Sequence, residues 1–293
     1  MPSEGTNALE DRSQRDGIVF AATGQKYRGL ARRAALTVRQ VMPDIAIDLF
    51  TDPAACTADP FPFDTVHPLQ GTGPRPKMEA LRRSRFERTL YLDCDVVMVT
   101  EVAPVFDVLE HFDIAGAQEQ FGCAPIAFQG GADAPPVAFR QINSGVLGVR
   151  KSAASSAFLQ KWEDLFRQRE ARFDQPLLTE LLYCEPVRLA VLPQEYNLMY
   201  LPFMRNAVPG MMIAPRLLHL PFLHKGDTHL SPADQPFDLA GLLNDAQFEN
   251  LGKLIEGDVT LGARPLLRHA VGNTLRKSPW LDRKLRKVLD WFA

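Results

Sequence analysis

Residues 17–52, GIVFAATGQKYRGLARRAALTVRQVMPDIAIDLFTD, change period twice. Residues 17–23 are continuously apolar, as in a strand buried on both faces, and 26–42 repeat their apolar positions at helical spacing until Pro43 stops them. Residues 45–52 return to a strand pattern. A strand, a helix and a strand in this order predict a right-handed β-α-β unit and a largely parallel sheet. Working outward, TVHPL (65–69) reads as a short third strand, PKMEALRRSRF (76–86) as a helix with Pro76 in its first turn, and TLYLDCD (89–95) as the next strand. Ligands of such sheets collect at the carboxyl ends of the strands, where Ala22, Thr23, Asp52, Asp93 and Asp95 emerge.

Residues 88–100, RTLYLDCDVVMVT, place two carboxylates one residue apart where that strand leaves the core. If the chain stays extended through Cys94, Asp93 and Asp95 project to the same side. Each carboxylate then raises the pKa of the other until a proton, a basic partner or a cation relieves the repulsion. Their apolar neighbours offer no basic partner in sequence, so a magnesium or manganese ion is one answer. The other is that one aspartate caps a turn while its companion is solvated. Cys94, with no histidine or lysine beside it, reads as packing filler.

Farther along, residues 121–141, rich in Gly and Pro, form a long excursion next to the site, and INSGVLGVR (142–150) returns to a strand. Ser152 opens a helix over 152–170. Asp174 is expected to cap another over 174–183, with Pro176 in the first turn. LAVLPQEYNLMY (189–200) and RLLHLPFLHKGD (216–227) read as short extended pieces, and helical patterns follow His229.

At 293 residues, with 46% hydrophobic residues and a net charge of −2, the composition is that of a globular protein with room for one catalytic domain and an appendage. The four cysteines make no Cys-x-x-Cys pair, which argues against a zinc knuckle. The first residues lack the basic-then-apolar signature of a secretory signal, and no apolar run approaches a bilayer span, so a cytoplasmic location is expected. From Arg264 onward eight Lys or Arg stand against two Asp, and Leu281, Leu285, Val288 and Phe292 form one helical stripe. This helix, residues 279–293, can pack on the catalytic domain or make peripheral contact with an anionic inner-membrane surface. It lacks the second basic face that nucleic acid requires.

The ordered set FAATGQKYRGLA, PKMEAL, YLDCDVVM, INSGVLGVRKS, FDQPLLTELL, LPQEYNLMY and HLPFLHKGD resembles the retaining glycosyltransferases of the glycogenin and lipopolysaccharide galactosyltransferase group. The resemblance runs from about Ile18 to Asp227. It implies an α/β GT-A fold, a UDP-sugar donor, a Mn2+ or Mg2+ ion, and transfer of a hexose with retention to a glycan or lipid-linked acceptor. It further implies that Asp93, Asp95 and His219 bind the metal. Ala22, Thr23 and Tyr27 would hold the base, with Lys77, Asp93, Asn143, Gly145 and Lys225 on the rest of the donor. Asp174 would take sugar hydroxyls, and Gln175 would set its amide against the sugar face. Phe222 stands where the group's His-x-x-Gly-x-x-Lys pattern has glycine, which leaves His224 and His229 open as ligands in place of His219.

The expected division is a polar tail (1–16), a catalytic domain (17–228) and a helical extension (229–293). Three other readings exist: a non-catalytic sugar-nucleotide binder, a sugar-1-phosphate nucleotidyltransferase and a haloacid dehalogenase-like phosphatase. The phosphatase needs a second metal-site aspartate where Ser231 stands, and the nucleotidyltransferase needs its Gly-rich loop after the first strand, whereas Gly71 comes far later.

Overall fold

The computed structural model describes residues 15–56, 60–71, 75–122, 135–225 and 234–262. The N-terminal tail, most of the Gly- and Pro-rich excursion, Asp227, His229 and residues 279–293, where a basic helix is expected, lie outside these residues. Nine strands are described: β1 (Asp16–Ala22), β2 (Ala46–Thr51), β3 (Thr65–Pro68), β4 (Arg88–Leu92), β5 (Val96–Met98), β6 (Ile114–Gln118), β7 (Ile142–Arg150), β8 (Leu189–Leu192) and β9 (Leu217–His219). The helices are α1 (Gly24–Val41), α2 (Lys77–Arg83), α3 (Pro104–Val108), α4 (Ala153–Gln168), α5 (Gln175–Cys184), α6 (Phe203–Asn206), α7 (Leu239–Leu242) and α8 (Asp245–Gly257).

Seven strands form one sheet in the order β3-β2-β1-β4-β7-β6-β8, and β5 and β9 form a second, two-stranded sheet. β1 pairs in parallel with β2 and β4, β2 with β3, and β6 with β8. β7 alone runs against its neighbours, pairing antiparallel with both β4 and β6. Alternation along β1 sends Val19 and Ala21 into a core cluster with Phe86, Trp162, Leu178 and Leu181. Gly17 is required there, because a Cβ would lie 2.3 Å from the Phe86 ring.

The described residues divide into two compact units, one reaching Tyr200 and including Pro215–Leu242, the other made of Leu201–Ala214 and residues 243–262. In the second unit Ala207, Ala214 and Leu254 are buried together, and Asn244 opens α8 with a capping box. Among the described residues no helix is long and apolar enough to cross a membrane.

The start of β6 is held by charge. Asp113 accepts hydrogen bonds from the Arg188 N–H (3.0 Å) and the Arg188 Nε (3.3 Å), and pairs with Arg150 at the end of β7. Burial would raise its pKa, but these partners outweigh burial and lower it to about 2. A depressed carboxylate stabilises above its unfolded value and loses that contribution as pH falls through the folded value. The Asp113 contribution, on the order of 1–2 kcal/mol, should therefore vanish between about pH 4 and pH 2. Denaturant titrations of wild type and Asp113→Asn should differ at neutral pH and converge in acid; a constant gap would contradict the assignment.

Candidate active site

β4 ends at Leu92, and Asp93 to Asp95 turn instead of continuing the strand, which corrects the expectation of an extended pair. The Asp93 N–H donates to Gly145 O (2.8 Å), and the Val96 N–H closes the turn on Asp93 O (3.1 Å). The carboxylates converge through the turn, and the partners absent from the local sequence arrive from elsewhere. β9 pairs antiparallel with β5, with His219 opposite Val96, which places the imidazole beside Asp95. One donor atom each from Asp93, Asp95 and His219 lies within 4.8 Å of the others.

After Leu220 the chain winds into a 3-10 turn, Pro221–Lys225, rather than staying extended. Proline at the first position of the turn has no N–H to place and a φ already suited to it. The winding brings His224 round to the same carboxylate. His224 Nε2 is 2.8 Å from Asp95 Oδ2, and His219 Nε2 is 3.4 Å from Asp95 Oδ1. Asp95 is 1% exposed. Burial would raise its pKa, but the two imidazoles overcome burial and lower it far. Reciprocally, burial pulls the pKa of His219 down and Asp95 and Asp93 raise it above the ordinary value; for His224 the hydrogen bond to Asp95 is the leading cause of a raised pKa.

Lys77, in the first turn of α2, is buried, and its Nζ donates to Asp93 Oδ2 (3.1 Å), Ser144 O (3.2 Å) and Ser144 Oγ (3.2 Å). It also stands 3.3 Å from Asp174 Oδ2. Burial opposes its charge, yet Asp174 and Asp93 raise its pKa, so the ammonium is fixed in the site. Asp93 Oδ1 accepts from the Tyr91 hydroxyl at 2.8 Å. Asp174 makes no side-chain cap, in contrast to the expectation from sequence. Its carboxylate turns inward, where it accepts from Ser144 Oγ (2.9 Å) and lies 3.5 Å from Arg75 Nε.

Gln175 Nε2 donates to Glu119 Oε2 (3.1 Å) and Gln141 Oε1 (2.7 Å), and Gln175 Oε1 accepts from the Ser144 N–H (3.1 Å). The amide is thereby oriented from both ends. Gly145 has no side chain for a geometric reason: a Cβ would lie 2.3 Å from His219 Cε1 and 3.0 Å from Asp93 Oδ2.

Two adjoining cavities open at this end of the sheet. One, of about 610 Å³, is lined by Ala22, Thr23, Tyr27, Lys77 and Asp93 among others; Tyr27 is half exposed, with its ring 5.4 Å from that of His224. The other, of about 470 Å³, is lined by Asp93, Asp95, Asn143, Gly145, Asp174, Gln175 and His219, with Lys77 and Glu119. All the residues expected in the site therefore border one cavity or the other except Lys225, which is exposed at the end of the 3-10 turn and lines neither. Glu119, Asn197, Ser144 and Arg75 were not expected. Glu119 carries the one sequence signal, a carboxylate just past the apolar strand IAGAQ.

The residues fit a divalent cation. Asp95 Oδ1 is fully buried without a hydrogen-bond partner, and it faces a second carboxylate and an imidazole nitrogen. An orphaned anionic oxygen in a two-carboxylate, one-histidine set suits manganese or magnesium.

No protein-family model matches the chain, and neither does any curated protein sequence. Solved structures do. The galactosyltransferase LgtC, in complex with donor and acceptor sugar analogues, is 17% identical, with 82% of this chain and 96% of that chain covered at a TM-score of 0.53. An active-site mutant of LgtC follows, 17% identical at a TM-score of 0.51, covering 81% and 95%. The apo glycosyltransferase GlyE of Streptococcus pneumoniae TIGR4 is 18% identical, with 83% of this chain and 60% of that chain covered at a TM-score of 0.50. With its mostly parallel seven-stranded sheet, the chain has the GT-A fold of these glycosyltransferases.

Proposed function

We propose that the protein is a metal-dependent, retaining glycosyltransferase that moves a hexose from a UDP-sugar to a glycan or lipid-linked acceptor. The observation that carries the reading is the convergence of Asp93, Asp95 and His219 at the wall of the smaller cavity, around a buried carboxylate oxygen that has no hydrogen-bond partner. LgtC was crystallised with donor and acceptor sugar analogues, and two adjoining cavities suit a similar pair of ligands.

Asp93, Asp95 and His219 would hold Mn2+ or Mg2+, which supplies Lewis-acid balance for the diphosphate charge that grows as the glycosidic bond breaks. The chain's own residues do the rest. Ala22, Thr23 and Tyr27 line the larger cavity and take the base, with the Tyr27 ring available for stacking. Lys77, held ionised by Asp93 and Asp174, contributes a fixed positive field beside the donor. Asp174 retains acceptor capacity toward sugar hydroxyls, and Asn143 and Gly145 line the sugar pocket. Gln175 Oε1 has one lone pair engaged by the Ser144 N–H and a second free for the developing positive charge at the anomeric carbon. Lys225 is assigned to the diphosphate from its spacing six residues after His219. Residues 279–293, outside the described residues, keep both roles expected of them, packing on the catalytic domain or peripheral contact with an anionic surface.

The test is calorimetric titration of UDP in manganese and in chelator, followed by proton NMR of the product's anomeric centre from each candidate UDP-hexose. Binding should be weak without the ion, and the product should keep the donor's anomeric configuration. Equal UDP affinity in both buffers would remove the metal from the reading. Inversion would remove retention, and binding without turnover would favour the non-catalytic alternative.

A further inference from the structure

Four buried polar side chains form a directional chain that ends on the histidine of the candidate metal site. Glu119 is 6% exposed, Asn143 4%, Asn197 1% and His219 6%. Glu119 Oε2 accepts from Asn143 Nδ2 at 2.7 Å. That bond turns the nitrogen end of the Asn143 amide toward the carboxylate. At the other end the Gly145 N–H donates to Asn143 Oδ1 at 2.9 Å, and a backbone N–H can only donate. The Asn143 amide is thus oriented twice over. Its oxygen also accepts from Asn197 Nδ2 at 2.9 Å, which turns Asn197 Oδ1 toward His219 Nδ1, 3.0 Å away. An amide oxygen can only accept, so Nδ1 carries the ring hydrogen. In the neutral ring Nε2 is then a bare lone pair, 3.4 Å from Asp95 Oδ1.

The backbone explains why the chain can be this long. The Leu198 N–H donates to Leu217 O (2.9 Å) and the His219 N–H to Leu198 O (3.0 Å), which pins Asn197 beside His219. Without a fixed tautomer the neutral ring could place its hydrogen on Nε2 and donate to Asp95, and the site would lose one ligand. We propose that Asn197 is a positioning residue: it transmits the orientation imposed on Asn143 by Glu119 and Gly145 to His219, holding the imidazole in the Nδ1–H tautomer with Nε2 presented to a divalent cation. The inference rests on the metal-site reading above, since the cation is what the lone pair serves.

The experiment has two arms on the full chain. In metal-free protein, titrated with base until the His219 ring is neutral, nitrogen-15 NMR should show a protonated Nδ1 and a bare Nε2. Asn197→Leu, which keeps the volume and removes the acceptor, should mix the tautomers. Asn197→Asp, which can only accept, should retain the wild-type spectrum. In the second arm manganese binding is followed by electron paramagnetic resonance. Asn197→Leu should weaken it about 10- to 100-fold, the usual effect of losing a ligand's orienting partner, while Asn197→Asp stays close to wild type. A wild-type ring protonated on Nε2 overturns the proposal without any variant, as does an Asn197→Leu protein with unchanged tautomer and unchanged manganese affinity. Wild-type protein that binds no manganese would sink the metal reading and the purpose of the relay, and the tautomer arm would still show separately whether the orienting chain exists.

Discussion

Gly145→Ala is expected to lower manganese affinity by about 10²-fold or more, the upper range for disturbing a metal site's geometry. The added Cβ would stand 2.3 Å from His219 Cε1, 2.9 Å from His219 Nδ1 and 3.0 Å from Asp93 Oδ2. The backbone cannot retreat, because the Gly145 N–H is held by Asn143 Oδ1 and Gly145 O accepts the Asp93 N–H at 2.8 Å. The displacement therefore falls on the imidazole and on Asp93, two of the three candidate ligands. Overpacking of this kind costs about 1–3 kcal/mol of stability, so the variant should remain folded. Weak UDP binding in chelator should survive, and the manganese-dependent increment should disappear. An alanine variant with wild-type manganese affinity would show that His219 can move aside and still ligate, or that it is not a ligand.

Much of this was legible in the chain. The period change across residues 17–52 identifies the β-α-β unit, because continuous apolar and helical spacings have different periods and Pro43 marks their boundary. Ser152 was readable as a cap, and it accepts from the Ser155 N–H at 3.1 Å. Asp174 has the same sequence signature but does not cap, because Lys77 and Ser144 offer its carboxylate a partner that no local pattern reveals. The reversal of β7 is hidden for a related reason: strand patterns carry no direction, and only its pairing with β4 and β6 shows it. The winding of Pro221–Lys225 departs from the extended expectation because five residues are too few to show a period, although Pro221 is a cue. Glu119, Asn143, Asn197 and His219 are separated in sequence by 24, 54 and 22 positions. Such a network exists only once the sheet has formed.

Asp95→Asn should have the largest effect on turnover, a loss of about 10³-fold or more, since Lewis-acid balance of a leaving group contributes several kcal/mol. Asparagine fills the same space at a position 1% exposed, so packing changes little, but the anionic oxygen of the candidate site is gone. The pH dependence separates this role from simple structural support. In metal-free wild type the raised pKa values of His219 and His224 mean that their pairing with Asp95 is fully present below the ordinary imidazole value of 6.5 and is lost as pH rises through their folded values. The depressed Asp95 acts in the opposite sense, contributing above its ordinary value and losing that contribution only in strong acid. Stability in chelator should thus decline on the alkaline side, and manganese, which needs neutral imidazole, should bind more tightly over the same range. In Asp95→Asn both trends should flatten, because the charge that raised the histidines is absent. His224→Ala is the internal control: it frees Asp95 Oδ2 without removing any member of the Asp93, Asp95 and His219 set, so part of the alkaline decline should go while manganese binding persists. Loss of manganese binding in His224→Ala equal to that in Asp95→Asn would move His224 into the ligand set, and unchanged turnover in Asp95→Asn would remove the metal from the reaction.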